Sequence, residues 1–136
     1  MFQKEQLDLT QQIQGILQDL DIPLIEELEW APIPFSGEWG IATSLFSTAA
    51  LEARSGKPVQ VPQRAEEIAA LVARELPPQE LFARVEAVKG YLNFIFDPHL
   101  FSTRVVNTVL AEGDFGRGEP QDERIMVEFS QPNTHK

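Results

Sequence analysis

Gly90-Tyr91-Leu92-Asn93-Phe94-Ile95-Phe96 alternates along its length, and it follows a second alternating run, Leu81 to Lys89, in which Arg84 and Glu86 point to water. Two runs of period two that meet at a glycine predict a β-hairpin. Alternation divides the second strand into two faces. Leu92, Phe94 and Phe96 share one and can pack beneath helices; Tyr91, Asn93 and Ile95 share the other. If that second face is open, it sets an aromatic ring beside a carboxamide. A ring stacks on a nucleobase, and an amide reads a base edge by donating and accepting at once. The same pattern also fits a strand with ordinary outward polar residues, Tyr91 padding a two-sided core and Asn93 bonded to backbone.

Helical periodicity flanks the hairpin on both sides. Leu9, Ile13, Ile16, Leu17 and Leu20 fall on one face of a segment from about Lys4 to Leu20, which Ile22-Pro23 should stop. Leu24 to Phe35 reads as a strand, at a sheet edge because Pro32 and Pro34 have no amide to donate. Ser36-Gly37 makes a turn, and Trp39 to Arg54 reads as a helix through Ile41, Leu45, Phe46, Ala49, Ala50 and Ala53. Pro62 opens a third helix with Ile68, Leu71, Val72 and Leu76 as its stripe, and Pro77-Pro78 closes it. Pro98 opens a fourth, carried by Leu100, Phe101, Val105, Val109 and Leu110 and capped by Gly113. A glycine-rich linker follows, and then a strand from Ile125 to Phe129. The expected order, α-β-α-α-β-β-α, then linker and strand, predicts an α+β domain: a small antiparallel sheet with helices packed on one face.

Length and composition agree with a single small domain. The chain has 136 residues, enough for a core without covalent staples, and 43% are apolar. It has no cysteine, so it has no disulfide framework or thiolate metal site, and a cytoplasmic location is the natural expectation. No apolar run approaches transmembrane length, and the first residues are polar where the core of a signal peptide would sit. A net charge of −10 argues against generic nucleic-acid binding, because phosphate contacts need Lys and Arg. The charge is uneven: residues 1–30 hold one Lys against seven acids, for −6, and residues 31–136 hold ten bases against fourteen acids, for −4. A surface that faces RNA should therefore lie away from the first helix and work through few, well-placed groups.

Other candidates carry little chemistry. His99 stands at a helix start with no second ligand at metal spacing, and His135 lies in the loop after the last strand, so no metal site is expected. Arg54, Lys57 and Arg64 form a loose basic patch around a loop, suitable for phosphate contact but read first as solvated surface. Gly113, Gly116 and Gly118 follow a helix, so no strand feeds them as a phosphate-cradling loop would need. Trp39 reads first as a core anchor and second as a stacking ring.

The tail Val127-Glu128-Phe129-Ser130-Gln131-Pro132-Asn133-Thr134-His135-Lys136 resembles the first catalytic strand and loop of class I arginyl-tRNA synthetases. There the pattern Ser-x-Pro-Asn-x-x-Lys stands before a His-x-Gly-His signature; here it is Ser130, Pro132, Asn133 and Lys136, without the signature. Gly90-Tyr91-Leu92-Asn93-Phe94 is similar to the family's Gly-aromatic-aliphatic-Asn element, and Ser36-Gly37-Glu38-Trp39 stands where the family has a Gly-Asp-Tyr-like turn. The resemblance implies an amino-terminal tRNA-binding domain over residues 1–114, a linker over 115–121 and the start of a Rossmann-type catalytic domain over 122–136. It implies that Tyr91 stacks on, and Asn93 reads, a D-loop base of arginine tRNA, often adenine. In the full-length enzyme, Glu128 and Asn133 would hold the substrate arginine and Lys136 would support the transition state near ATP phosphates, with ATP and Mg2+ as the parent's requirements. These residues alone would need no cofactor and would not catalyse. Beside tRNA, the implied partner is the chain's own catalytic domain, with a monomer and no membrane expected.

The chain departs from the family where Gln and Asn commonly follow the Gly-Asp-Tyr turn, since it has Gly40 and Ala42 there. Gln131 is bulkier than the small residue usual at its position. The missing Gln and Asn, with the −10 charge, leave a second expectation open: an acidic protein-interaction or regulatory module derived from this domain that no longer binds RNA.

Overall fold

A computed structural model describes residues 2–25, 27–34, 37–118 and 126. The element order is α1 (Gln3–Asp19), β1 (Trp30–Pro32), β2 (Gly40–Ser44), α2 (Phe46–Arg54), α3 (Val61–Glu75), β3 (Phe82–Val88), β4 (Tyr91–Phe96) and α4 (Pro98–Ala111). The strands form one antiparallel sheet in the order β1-β2-β4-β3. The α+β architecture with helices on one face is as the sequence predicts. The expected strand from Ile125 to Phe129, like the boundaries drawn after it, lies outside the described residues except for Met126.

The hairpin closes through Lys89 and Gly90, with φ of 49° and 81°. Two successive left-handed residues make the tight turn whose twist matches the flanking strands. A Cβ at Gly90 would lie 2.9 Å from the Phe46 ring and 3.0 Å from Ala65, so the glycine also lets α2 and α3 close over the turn. Helix α1 stops before Pro23 acts on it: Asp21 turns left-handed at φ 53°, and the amides of Asp21 and Ile22 bond back to the carbonyls of Gln18 and Leu17. That is a Schellman closure with Asp where Gly is usual. In α4 the Asp97 carboxylate accepts from the amides of His99 and Leu100, and Pro98 takes the first turn. Its C-terminus runs into extended backbone at Glu112, so Gly113 is not the cap that composition suggested.

Two expected elements differ. The helix predicted from Trp39 to Arg54 is a strand followed by a shorter helix. Ile41, Leu45 and Ala49 do fall at helical spacing, but β2 has ladder partners on both sides, β1 and β4, and these satisfy its backbone where a helix would leave β1 unpaired. The strand predicted from Leu24 to Phe35 shrinks to Trp30–Pro32, at the edge where its prolines can be tolerated.

The core lies between the sheet and the helices. Leu9, Ile13 and Leu17 of α1, Ala49 of α2, and Ala65, Ile68, Ala69 and Val72 of α3 meet Ile41, Leu92, Phe94 and Phe96 of the sheet. Phe82, Phe94, Phe96, Phe101 and Phe2 form a connected aromatic row at one end of it. Among the described residues the opposite face carries a small apolar cluster, Ile33, Ala42 and Ile95.

Candidate nucleic-acid interface

Pairing fixes what meets on the face turned away from the helices. Asn93 stands between Ala42 on one side and Glu86 on the other; Tyr91 stands between Ser44 and Val88, and Ile95 between Gly40 and Arg84. Because β2 contributes Gly40, Ala42 and Ser44 here, its row is low, and hollows form beside β4. One of about 270 Å³ is lined by Ile33, Pro34, Glu38, Arg84, Glu86, Val88, Asn93 and Ile95. A second, lined by Glu29, Ala31, Pro32, Pro34, Ala42, Ser44 and Tyr91, shares Pro34 with it.

Tyr91 and Asn93 share this face, as the alternation predicts, though Phe46 at the start of α2 reaches the Tyr91 ring. Neither juts out freely. Tyr91 is half-buried, its ring edge against Phe46 at 5.7 Å between centroids. Asn93 is only 4% exposed and sits at the floor of the hollow. The cover is one the sequence did not reveal: Ile33, after the edge strand, folds over Ala42 and Ile95. Asn93 is not bonded to backbone through its carbonyl oxygen, as the ordinary reading of the pattern required. Its Oδ1 is buried with no hydrogen-bond partner among the described residues. Buried polar atoms are nearly always paired, and leaving one unpaired costs on the order of 1–3 kcal/mol. Here the residue that carries it lines a concavity.

The rim is charged but internally matched. Arg84 donates to both carboxylate oxygens of Glu38 at 2.5 Å and to Glu86 at 2.6 Å, which keeps its guanidinium charged. Its Nε and Nη2 donors are thereby engaged with the rim carboxylates.

The basic patch expected at Arg54, Lys57 and Arg64 is not solvated surface throughout. Glu52 is 1% exposed and gathers Lys57 at 2.8 Å and Arg64 at 2.6 Å. The hydrogen bond from Arg64 holds the Glu52 carboxyl below its ordinary value against the opposing effect of burial, and Lys57 adds to it. Two of the three cations are thus committed to a buried anion that sequence spacing did not mark. Trp39, expected foremost as a core anchor, is 67% exposed. The strand read as a helix hid this, because Trp39 precedes β2 at the end of the sheet. Glu128, Asn133 and Lys136 lie outside the described residues. Among the described residues no group of His, Cys, Asp or Glu could hold a metal ion, and no helix is long and apolar enough to cross a membrane.

No family model matches the chain. Among curated proteins it is 33% identical over 121 residues to the arginine–tRNA ligase of Clostridium perfringens, covering 87% of this chain and 19% of that protein. It is 30% identical over 135 residues to the arginine–tRNA ligase of Methanothermobacter thermautotrophicus, covering 98% and 22%. Over a shorter stretch of 69 residues it is 44% identical to the arginine–tRNA ligase of an Azoarcus species, covering 49% and 12%. Its fold is similar to part of the solved arginyl-tRNA synthetase of Thermus thermophilus, with a TM-score of 0.54 and 24% identity over 74% of this chain and 15% of that one. That last likeness speaks for the fold alone. The chain spans about a fifth of the length of the relatives it matches nearly throughout.

Proposed function

The chain is a homologue of arginyl-tRNA synthetases spanning about a fifth of their length, and from that premise we propose that it is their amino-terminal tRNA-binding domain. It acts as a positioning module. The face bearing Tyr91 and Asn93 receives a D-loop base of arginine tRNA, the Tyr91 ring as stacking surface and the Asn93 amide as reader of the base edge. Contact at the outer corner of the tRNA then spends remote binding energy on orienting the acceptor end in a distant catalytic site. The observation that carries this reading is the unpartnered, buried Oδ1 of Asn93, a residue that lines a hollow on this face. A nucleobase amino group would supply the donor it lacks.

In the same reading residues 1–114 form the RNA-binding unit, 115–121 a linker and 122–136 the start of a Rossmann-type catalytic domain. Glu128 and Asn133 contact arginine and Lys136 stabilises charge near the ATP phosphates in the complete, cytoplasmic, monomeric enzyme, which works with Mg2+. Gly40 and Ala42 take the place of amide side chains, so Asn93 reads the base with less help than in the relatives.

One observation favours a second reading, an acidic protein-interaction or regulatory module. Among the described residues Lys57, Arg64, Arg74, Arg84, Arg104 and Arg117 are all engaged in ion pairs, which reduces the positive charge offered to phosphate. Binding of arginine tRNA and of a D-loop base variant, measured across a salt series, separates the two. For the RNA-binding domain Asn93→Ala reduces discrimination between the two tRNAs by about 1–3 kcal/mol, the scale of one good base-edge contact. Equal loss on both tRNAs counts against base reading, and an interaction module gives neither base dependence nor a salt slope.

A further inference from the structure

We propose that Arg84 is the phosphate contact of the Asn93 site, and that Glu38 holds the phosphate's place on it until RNA arrives. This rests on the RNA-binding reading above. Of the charged side chains that line the Asn93 hollow, Glu38 and Glu86 are anions and Arg84 is the cation. All three belong to one face of the sheet. Arg84 and Glu86 stand on β3 opposite Ile95 and Asn93. On the other side of β4, the Trp39 carbonyl accepts from the Phe96 amide at 2.9 Å, which carries the β2 ladder one step past Gly40. Alternation then returns Glu38 to the face of Gly40 and Ala42. The Glu38–Arg84 bridge therefore crosses β4 over Ile95, spanning two strand spacings, about 10 Å.

The two carboxylates hold the guanidinium differently. Glu86 stands two residues along the same strand and accepts from Nε at 2.6 Å. Glu38 lies 46 residues away in sequence, and both its oxygens accept from Nη2 at 2.5 Å. Two anionic oxygens set against one arginine are the contact that a phosphate makes. The Glu38–Arg84 pair is exposed at both ends, and exposed ion pairs contribute little to stability, so one anion readily replaces another. Nη1 makes no hydrogen bond among the described residues, which gives an incoming phosphate a foothold before Glu38 leaves. The second observation is the unpartnered Oδ1 of Asn93, which is 4% exposed and lines the same hollow. Ile95, opposite Arg84, is two residues from Asn93, about 7 Å at strand rise. A phosphate flanking a base seated on Asn93 thus comes within reach of the arginine. With Glu38 in place the rim sets two anions against one cation and turns phosphate away. The exchange goes forward when a base satisfies Asn93 at the same time, which is how a chain of net charge −10 can admit one RNA and decline others.

The full 136-residue chain is titrated with arginine tRNA and with a D-loop base variant across a salt series. Glu38→Gln should bind both tRNAs about threefold tighter at low salt, because it frees Arg84 and removes a like charge. The gain should be equal on the two, since phosphate contacts carry no base information. Arg84→Gln should weaken both and lower the salt slope by about 0.7, the value of one phosphate contact on a single strand. In the double variant the gain from Glu38→Gln should vanish. Glu66→Gln, the same loss of charge on α3 across the sheet, controls for net charge. A Glu38→Gln gain no larger than that of Glu66→Gln, or one that persists without Arg84, overturns the exchange. If Asn93→Ala then still loses base discrimination, the base reading stands and the bridge is a plain surface ion pair. A chain that binds no tRNA at all removes both proposals together.

Discussion

Strand β4 presents two faces made by alternate residues of one hexapeptide, and they obey different rules. Toward the helices, Leu92, Phe94 and Phe96 are buried among aliphatic and aromatic partners, with the unpartnered hydroxyls of Thr43, opposite Leu92, and Thr48 buried on the same side. Toward the other side, Tyr91, Asn93 and Ile95 face small residues of β2 and a charged pair on β3, and a buried oxygen lacks a partner. The first face is what folding would choose. The second sets its unpartnered amide beside a hollow, where on the proposed reading a base would satisfy it, whereas the Thr43 and Thr48 hydroxyls are sealed under the helices. On the RNA-binding reading proposed above, stability and recognition are separated across a single β-strand, so each can be perturbed with limited effect on the other.

The sharpest test of the helix-facing side is Phe94→Ala. Phe94 is fully buried and touches both Trp30 and Phe82. Its loss should destabilise the chain by about 3–5 kcal/mol in urea unfolding. A loss below about 1 kcal/mol would show that the core is not centred on β4.

Next comes Gly40→Gln, which restores the amide that the relatives' pattern has. A Cβ there would lie 2.1 Å from the Phe94 carbonyl oxygen and 2.4 Å from Ile33 Cδ1. The backbone contact cannot be relieved by a rotamer change, so a loss of about 2–3 kcal/mol is expected, within the range for overpacking. Circular dichroism melting would check it. An unchanged melting temperature would mean that the β2–β4 spacing is looser than described and that the low row beside Asn93 is not built in.

A third test moves away from β4 to the buried carboxylate. Glu52→Gln should cost about 2 kcal/mol at neutral pH, less than a fully enclosed ion pair, because Lys57 and Arg64 can rehydrate. The folded-state Glu52 carboxyl is held below its ordinary value of 4.5, chiefly by the Arg64 hydrogen bond. Its contribution is thus complete above 4.5 and is lost as pH falls through the lower, folded-state value. The stability gap between the two proteins should therefore close in acid, below 4.5. A gap constant from pH 7 to pH 3 would remove the charge from the account.

How much of this was legible in sequence follows from the physics of each element. The hairpin and α3 were readable because their periodicity and turn chemistry agree: Lys89-Gly90 supplies the tight turn and Pro62 falls in the first turn of α3. Strand β2 was not, because Gly, Ala and Ser give alternation no contrast, and Ile41, Leu45 and Ala49 mimic a helix face. Missing that strand concealed the exposure of Trp39 and the low row beside Asn93. Tyr91 and Asn93 could be placed on one face from alternation alone. Their depth could not, because Phe46 of α2 packs on Tyr91 and Ile33 packs on Ala42 and Ile95 beside Asn93, long-range contacts with no local signal. Glu52 was equally silent, since nothing in a sequence of alternating charges marks which carboxylate goes inside.

The smallest expected effect is the most discriminating between the two faces. Asn93→Leu replaces a buried, unpartnered amide by an apolar side chain of similar volume, beside Ala42 and Ile95. On the helix-facing side nearly every substitution should destabilise. Here the change should stabilise by about 1 kcal/mol, because removing an unsatisfied buried group relieves its desolvation cost. The same substitution should abolish discrimination at the D-loop base, because leucine can neither accept nor donate. Stability and base-specific binding would then move in opposite directions in one variant. If Asn93→Leu lowers stability instead, the oxygen is satisfied in solution, and the face is an ordinary outer surface of the sheet with no vacancy for a base to fill.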